Sequence, residues 1–141
     1  MKKFAQIAAL TLVVVLTVAM LVACAYSSNP QKEKEKLEKD GYTIVSYDEF
    51  DKGDEYAAKI VATKSNVGSF TVSELLNPAT IEQLRFERLR LDYYNQAYIA
   101  KEAYEDECKN FAGKENYTVS RQGKLVIVQY VATGEAAKNA K

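Results

Sequence analysis

Five carboxylates, Asp48, Glu49, Asp51, Asp54 and Glu55, fall within eight residues and form the densest group of side chains that could do chemistry. Carboxylates so placed can ligate calcium, or act in pairs as acid and base on a glycosidic bond. A calcium loop of the EF-hand type fails on register. With Gly53 in the glycine position, Phe50 and Lys52 stand where oxygen ligands are required. The hydrolase reading keeps its carboxylates, but the chain has no tryptophan to stack a sugar. A solvated turn around Lys52-Gly53-Asp54 is the simpler use of the same residues. Histidine is absent, which excludes serine–histidine and cysteine–histidine catalysis and histidine metal sites from this chain. The six glycines match no phosphate-loop or dinucleotide spacing, and two cysteines do not make a zinc site. No catalytic residue, metal or cofactor is expected.

The two cysteines have different surroundings. Cys108 lies in a stretch with helical periodicity and reads as a small apolar residue. Cys24 follows a basic start, Lys2-Lys3, and a nearly unbroken apolar run from Phe4 to Ala23, the pattern of an export signal. Leu21-Val22-Ala23-Cys24 resembles the lipobox of bacterial lipoprotein precursors. The resemblance implies cleavage between Ala23 and Cys24, a diacylglyceryl group on the Cys24 sulfur, and an acylated new amino terminus. Two chains on one residue suffice for stable attachment, which a single chain does not give. The bland alternative is an uncleaved transmembrane helix, since twenty residues from Phe4 to Ala23 could span a bilayer. Either way the rest of the chain lies outside the cytoplasm.

Removing residues 1–23 leaves 118, enough for one domain. With Lys2 and Lys3 gone, 17 basic and 19 acidic residues remain, so nucleic acid is not an expected partner. The organisation predicted is a signal peptide (1–23), a lipidated tether with a charged spacer helix (24–40) and a small α+β domain (41–141). Gln31 to Asp40 carries one apolar residue, Leu37, and ends at Gly41, the residue type that caps a helix C-terminus.

Strands are predicted at 42–47, 56–63, 68–72, 116–121 and 124–131, the last two around Gln122-Gly123. From Ile81 to Phe111 there is no Gly or Pro, and Phe86, Leu89, Tyr93, Ala97, Ala100, Tyr104, Cys108 and Phe111 recur at three- and four-residue steps. That predicts one long helix, with a bend or break near Asn95 because about thirty residues exceeds the usual helix. A short helix, 134–141, follows Thr133. The fold class is α+β: an antiparallel sheet of about five strands packed by the long helix, plus the short C-terminal helix, after an N-terminal signal helix. The segments Leu37 to Tyr42, Gly123 to Val126 and Thr133 to Ala136 resemble small lipoproteins of low-GC Gram-positive bacteria, a likeness that implies no particular activity.

On the long helix, Leu84, Leu91, Tyr94 and Tyr98 form a second stripe and are the candidate partner contact, with Tyr94 and Tyr98 more exposed than Tyr93 and Tyr104. The function expected is a lipid-anchored extracytoplasmic protein on the outer face of the cell membrane, a non-enzymatic module binding a protein or cell-wall partner. The alternatives are a small carboxylate-dependent surface hydrolase and an uncleaved single-pass membrane protein.

Overall fold

Leu89-Arg90-Leu91-Asp92-Tyr93 alternates strictly between apolar and charged residues, and this period of two governs the centre of the molecule. The structure, a computed structural model, describes residues 26–140; Ala23, Cys24 and the signal segment lie outside the described residues. Its elements are α1 (Pro30–Lys39), β1 (Thr43–Glu49), β2 (Tyr56–Ser65), α2 (Pro78–Ile81), β3 (Arg85–Tyr94), α3 (Ala97–Phe111), β4 (Tyr117–Gln122), β5 (Leu125–Thr133) and α4 (Glu135–Asn139). The five strands form one antiparallel sheet in the order β1-β2-β3-β5-β4, and the fold is α+β.

The continuous helix expected from Ile81 to Phe111 is therefore two elements. Its first half is β3, the middle strand, and its second half is α3. Phe86, Leu89 and Tyr93 satisfy a helical spacing, but α1 packs on one face of this strand and α3 on the other, and a strand covered on both faces carries apolar residues at mixed intervals. Leu89, Leu91 and Tyr93 enter the cluster of Ala58, Ile60, Ala62, Leu125 and Ile127. Phe86 and Tyr94 enter separate clusters, with Ala132 and Ala137 and with Ala100 and Val126. Helical periodicity does hold in α3, where Ala100 is fully buried and Tyr104, Cys108 and Phe111 are half-buried.

No strand forms over 68–72. Residues 66–84 instead make two 3-10 turns and the single turn α2, where Asn77 caps Ala79 N–H and Pro78 takes the first helical position. β1 and β2 pair as one hairpin and β4 and β5 as another, and Gly123 at φ +59° supplies the left-handed residue that the β4–β5 turn needs. The C-terminal helix shortens to Glu135–Asn139 and is entered through Gly134 at φ +63°, with no side-chain cap from Thr133.

The charged helix α1 is part of the domain rather than a spacer. Asn29 Oδ1 accepts the Lys32 N–H (3.2 Å) and Pro30 opens the helix. At its end Tyr42 N–H reaches Leu37 O (2.9 Å) and Gly41 N–H reaches Glu38 O (3.2 Å), with Gly41 at φ +90°. These are the paired bonds of a Schellman motif, and Leu37 and Tyr42 meet in the same cluster, as that motif favours. Leu37 is only 4% exposed, so one well-placed leucine secures the helix.

Candidate functional site

The strands run between two ends that differ in construction. At one end Tyr26–Pro30, the 50–55 turn, the Asn95-Gln96 step and the Gln122–Lys124 turn come together. At the other end the long connection 66–84 leaves β2 and enters β3.

The first end is stitched by Asn95. Its Nδ2 donates to Asp54 O (2.7 Å) and Tyr56 O (3.0 Å), and its N–H donates to Glu55 O (3.0 Å). The acidic turn is closed further by Asp51 N–H to Asp54 Oδ2 (3.0 Å). Asp48, Glu49, Asp51, Asp54 and Glu55 are all exposed. Among the described residues no group of three or more acidic or cysteine side chains could hold a metal ion. Tyr56 packs against Tyr94 with the rings tilted at 34° (4.8 Å between centroids), and Lys59 lies over the Tyr56 ring (3.6 Å). A cleft of about 440 Å³ opens between Ser28–Pro30 and Gln122–Lys124, with Ala57, Tyr93, Tyr94 and Leu125 in its walls.

The candidate contact strip does not assemble. Leu84 (1% exposed), Leu91 (0%) and Tyr94 (5%) lie in three different clusters, and Tyr98 alone is exposed, at 64%. Leu91 and Tyr94 project to opposite faces of one strand, so no groove can contain both. Tyr94 is as buried as Tyr93, while Tyr98 is more exposed than half-buried Tyr104, so the expected ranking holds for Tyr98 only.

The other end displays apolar side chains that helical spacing did not single out. Thr71 Oγ1 accepts the Glu74 N–H (3.3 Å) while Glu74 Oε2 accepts the Thr71 N–H (2.7 Å), a reciprocal capping box legible in the sequence as Thr-x-x-Glu. The two Thr71 hydrogen bonds hold the Glu74 carboxyl below its ordinary range. Asn66 closes the base of the connection, donating to Gln83 O (2.8 Å) and accepting from Arg85 N–H (2.8 Å). Val67, Phe70, Leu75 and Ile81 turn inward onto Leu84 and Phe86. Val72 and Leu76 turn outward, at 80% and 73% exposure.

Buried polar groups lie between the ends. Arg90 bridges Asp92 (3.0 Å) and Glu107 (2.5 Å), joining β3 to α3. Burial raises the Asp92 carboxyl above its usual range against the opposing pull of Arg90 and Lys59. Tyr42 donates to Glu87 (3.0 Å), and burial followed by this bond raises its phenol. Tyr93 donates to Ser27 O (2.7 Å) and is raised chiefly by burial. Cys108 is a free, half-buried thiol, and its hydrogen bond with Tyr104 raises that phenol. No protein family, curated protein or solved structure matches this chain.

Proposed function

We propose that this is a lipid-anchored extracytoplasmic protein, held at the outer face of the cell membrane through Cys24, that acts without catalysis as a protein-binding module. The observation that carries the binding reading is the pinned display of Val72 and Leu76. Two large apolar side chains stand in solvent on a connection whose base and turn are fixed by Asn66 and by the Thr71–Glu74 capping box. Exposed apolar patches tend to mark contact sites, and this connection offers two such side chains to a partner. The anchor reading rests on the Lys2-Lys3 start, the apolar run and Leu21-Val22-Ala23-Cys24. In the 48–55 segment the Asp54 carboxylate closes the turn and Asn95 holds the Asp54 backbone carbonyl, a structural use that favours binding over hydrolysis.

Mass spectrometry of the membrane-extracted protein tests the anchor: lipid-modified Cys24 as first residue is expected, and a dominant intact Met1 peptide with unmodified Cys24 would leave the uncleaved-helix form. Crosslinking in intact cells tests the binding surface. Val72→Ser with Leu76→Ser should lose a protein crosslink that the parent chain forms and that Tyr98→Ser keeps. Turnover of a surface glycan that disappears on alanine replacement of Asp48, Asp51 and Asp54, with folding intact, would move the protein to the hydrolases.

A further inference from the structure

Residues that composition marks as a loose tether are wired into the fold. Tyr26 is half-buried against the cluster under α1, and its carbonyl accepts Gln122 Nε2 (3.1 Å). Ser27 N–H donates to Glu33 (2.5 Å), and Ser27 O accepts the Tyr93 hydroxyl (2.7 Å). Contacts from β4, α1 and β3 thus fix the first two described residues. Ala25 alone separates Cys24 from Tyr26 in the sequence, and two residues span at most about 7 Å even when extended.

We infer that the body is seated directly on the bilayer, with the end that carries the Gln122–Lys124 turn and the start of α1 against the lipid headgroups. This rests on the anchorage at Cys24 proposed above. A connection this short removes the freedom by which a tethered domain would stand off the surface, since a flexible linker gains reach only with the square root of its length. The surface at this end fits a headgroup layer. Its cleft has Ala57, Tyr93 and Leu125 in its walls and Lys124 at its margin. Exposed Lys32 stands in the first turn of α1, and Arg121 donates to Gly123 O (2.9 Å) on the same hairpin. Asp51, Asp54 and Glu55 lie beyond Asn95, and with Lys52 among them that turn stays net negative, so an anionic bilayer attracts the hairpin side and repels the acidic turn. The seat is therefore tilted toward Lys124. The 66–84 connection then points away from the membrane, since β2 and β3 carry the chain about 30 Å from one end to the other.

The chain has no tryptophan, so a single introduced one reports a single place. Ser28→Trp, which keeps Lys124, and Val72→Trp, each in the full chain, are to be recovered from membranes and placed in phosphatidylglycerol–phosphatidylcholine vesicles carrying a headgroup-level quencher; Ser28 is exposed at the same cleft. Quenching of Ser28→Trp several-fold greater than that of Val72→Trp is expected. Inserting about twelve Gly and Ser residues between Ala25 and Tyr26, which adds roughly 20 Å of slack, should bring the two values together. Equal quenching with the native connection overturns the inference, and so does a difference that the inserted linker leaves unchanged. The N-terminal peptide mass from the same samples separates this result from the anchor reading. Unmodified Cys24 on an intact Met1 chain, with Ser28→Trp still preferentially quenched, removes the lipid and leaves the seat. Lipidated Cys24 with equal quenching removes the seat alone.

Discussion

An asparagine governs each end of the sheet, and the two do different work. Asn95 ties adjacent turns together, binding the carbonyls of Asp54 and Tyr56 beside the packed Tyr56 and Tyr94 rings. Asn66 closes the mouth of a 19-residue connection and leaves the rest of it to local turns. The first arrangement spreads each contact over several elements, so little there can move alone. The second concentrates stability at the base and inner side of a loop and frees its outer side to meet something else. Loops positioned by a rigid scaffold commonly carry function, and here the scaffold's fixed end is also the one that binds the backbone of Tyr26 and Ser27.

The largest test of this contrast is truncation of an aromatic at the fixed end. Tyr94→Ala removes a ring that is 5% exposed and packed on Tyr56, Ala100 and Val126, and should cost about 3–5 kcal/mol in denaturant unfolding. Leu37→Ala should cost about 2–5 kcal/mol, far more than a spacer helix would lose. A loss below about 0.5 kcal/mol for Leu37→Ala would show that α1 adds nothing to the domain and return it to the tether.

The asparagines come next. Asn95→Ala leaves the Asp54 and Tyr56 carbonyls without their donor and should lower global stability by about 1–3 kcal/mol. Asn66→Ala should act locally, raising amide exchange and proteolysis within 66–84 more than it lowers the global midpoint. If both variants fall equally in global stability and neither shows local opening, the two ends are not different in kind.

Alkaline titration probes the layer between them. The phenols of Tyr42, Tyr93 and Tyr94 are all raised, with burial as the leading cause. In the unfolded chain they ionise near pH 10, while the folded state retains their protons. The unfolded state then binds fewer protons, so stability is intact below about pH 10 and falls as pH rises beyond it. The denaturant midpoint should be level from neutrality to about pH 9.5 and drop above, and Tyr42→Phe should shallow that drop. A midpoint level to pH 11, or a slope that Tyr42→Phe leaves unchanged, would mean these phenols ionise as freely folded as unfolded.

Much of the frame is legible in the residues because local chemistry and final structure agree there. Gly123 needs a positive φ and marks a hairpin; Asn29-Pro30 and Gly41 mark the ends of α1; Ala100, Tyr104, Cys108 and Phe111 mark the inner side of α3. β3 is hard to read because α1 packs on one of its faces and α3 on the other. Its apolar residues then satisfy a helical spacing by coincidence, while the alternation through Leu89 to Tyr93 carries the truer signal. The contact strip fails with that period, since Leu84, Leu91 and Tyr94 share a face only on a helix. The exposed pair at 72 and 76 follows from a different clue, the Thr71–Glu74 capping box, which fixes a turn and thereby decides that Leu75 goes in and Val72 and Leu76 go out.

The smallest expected effect on stability is the most informative about function. Val72→Ser and Leu76→Ser change side chains that lose little exposed area on folding, and neither alters a backbone hydrogen bond of the connection. Removing apolar surface that stays in water leaves the folding equilibrium nearly unchanged, so each should shift unfolding by no more than about 0.5 kcal/mol. The same variants should improve solubility at high concentration, because exposed apolar surface promotes self-association. A loss of about 2 kcal/mol or more from either single change would show that these side chains are covered in the native state. The far end would then be a closed structural unit like the near one, and the surface available to a partner would have to be sought around Tyr98 instead.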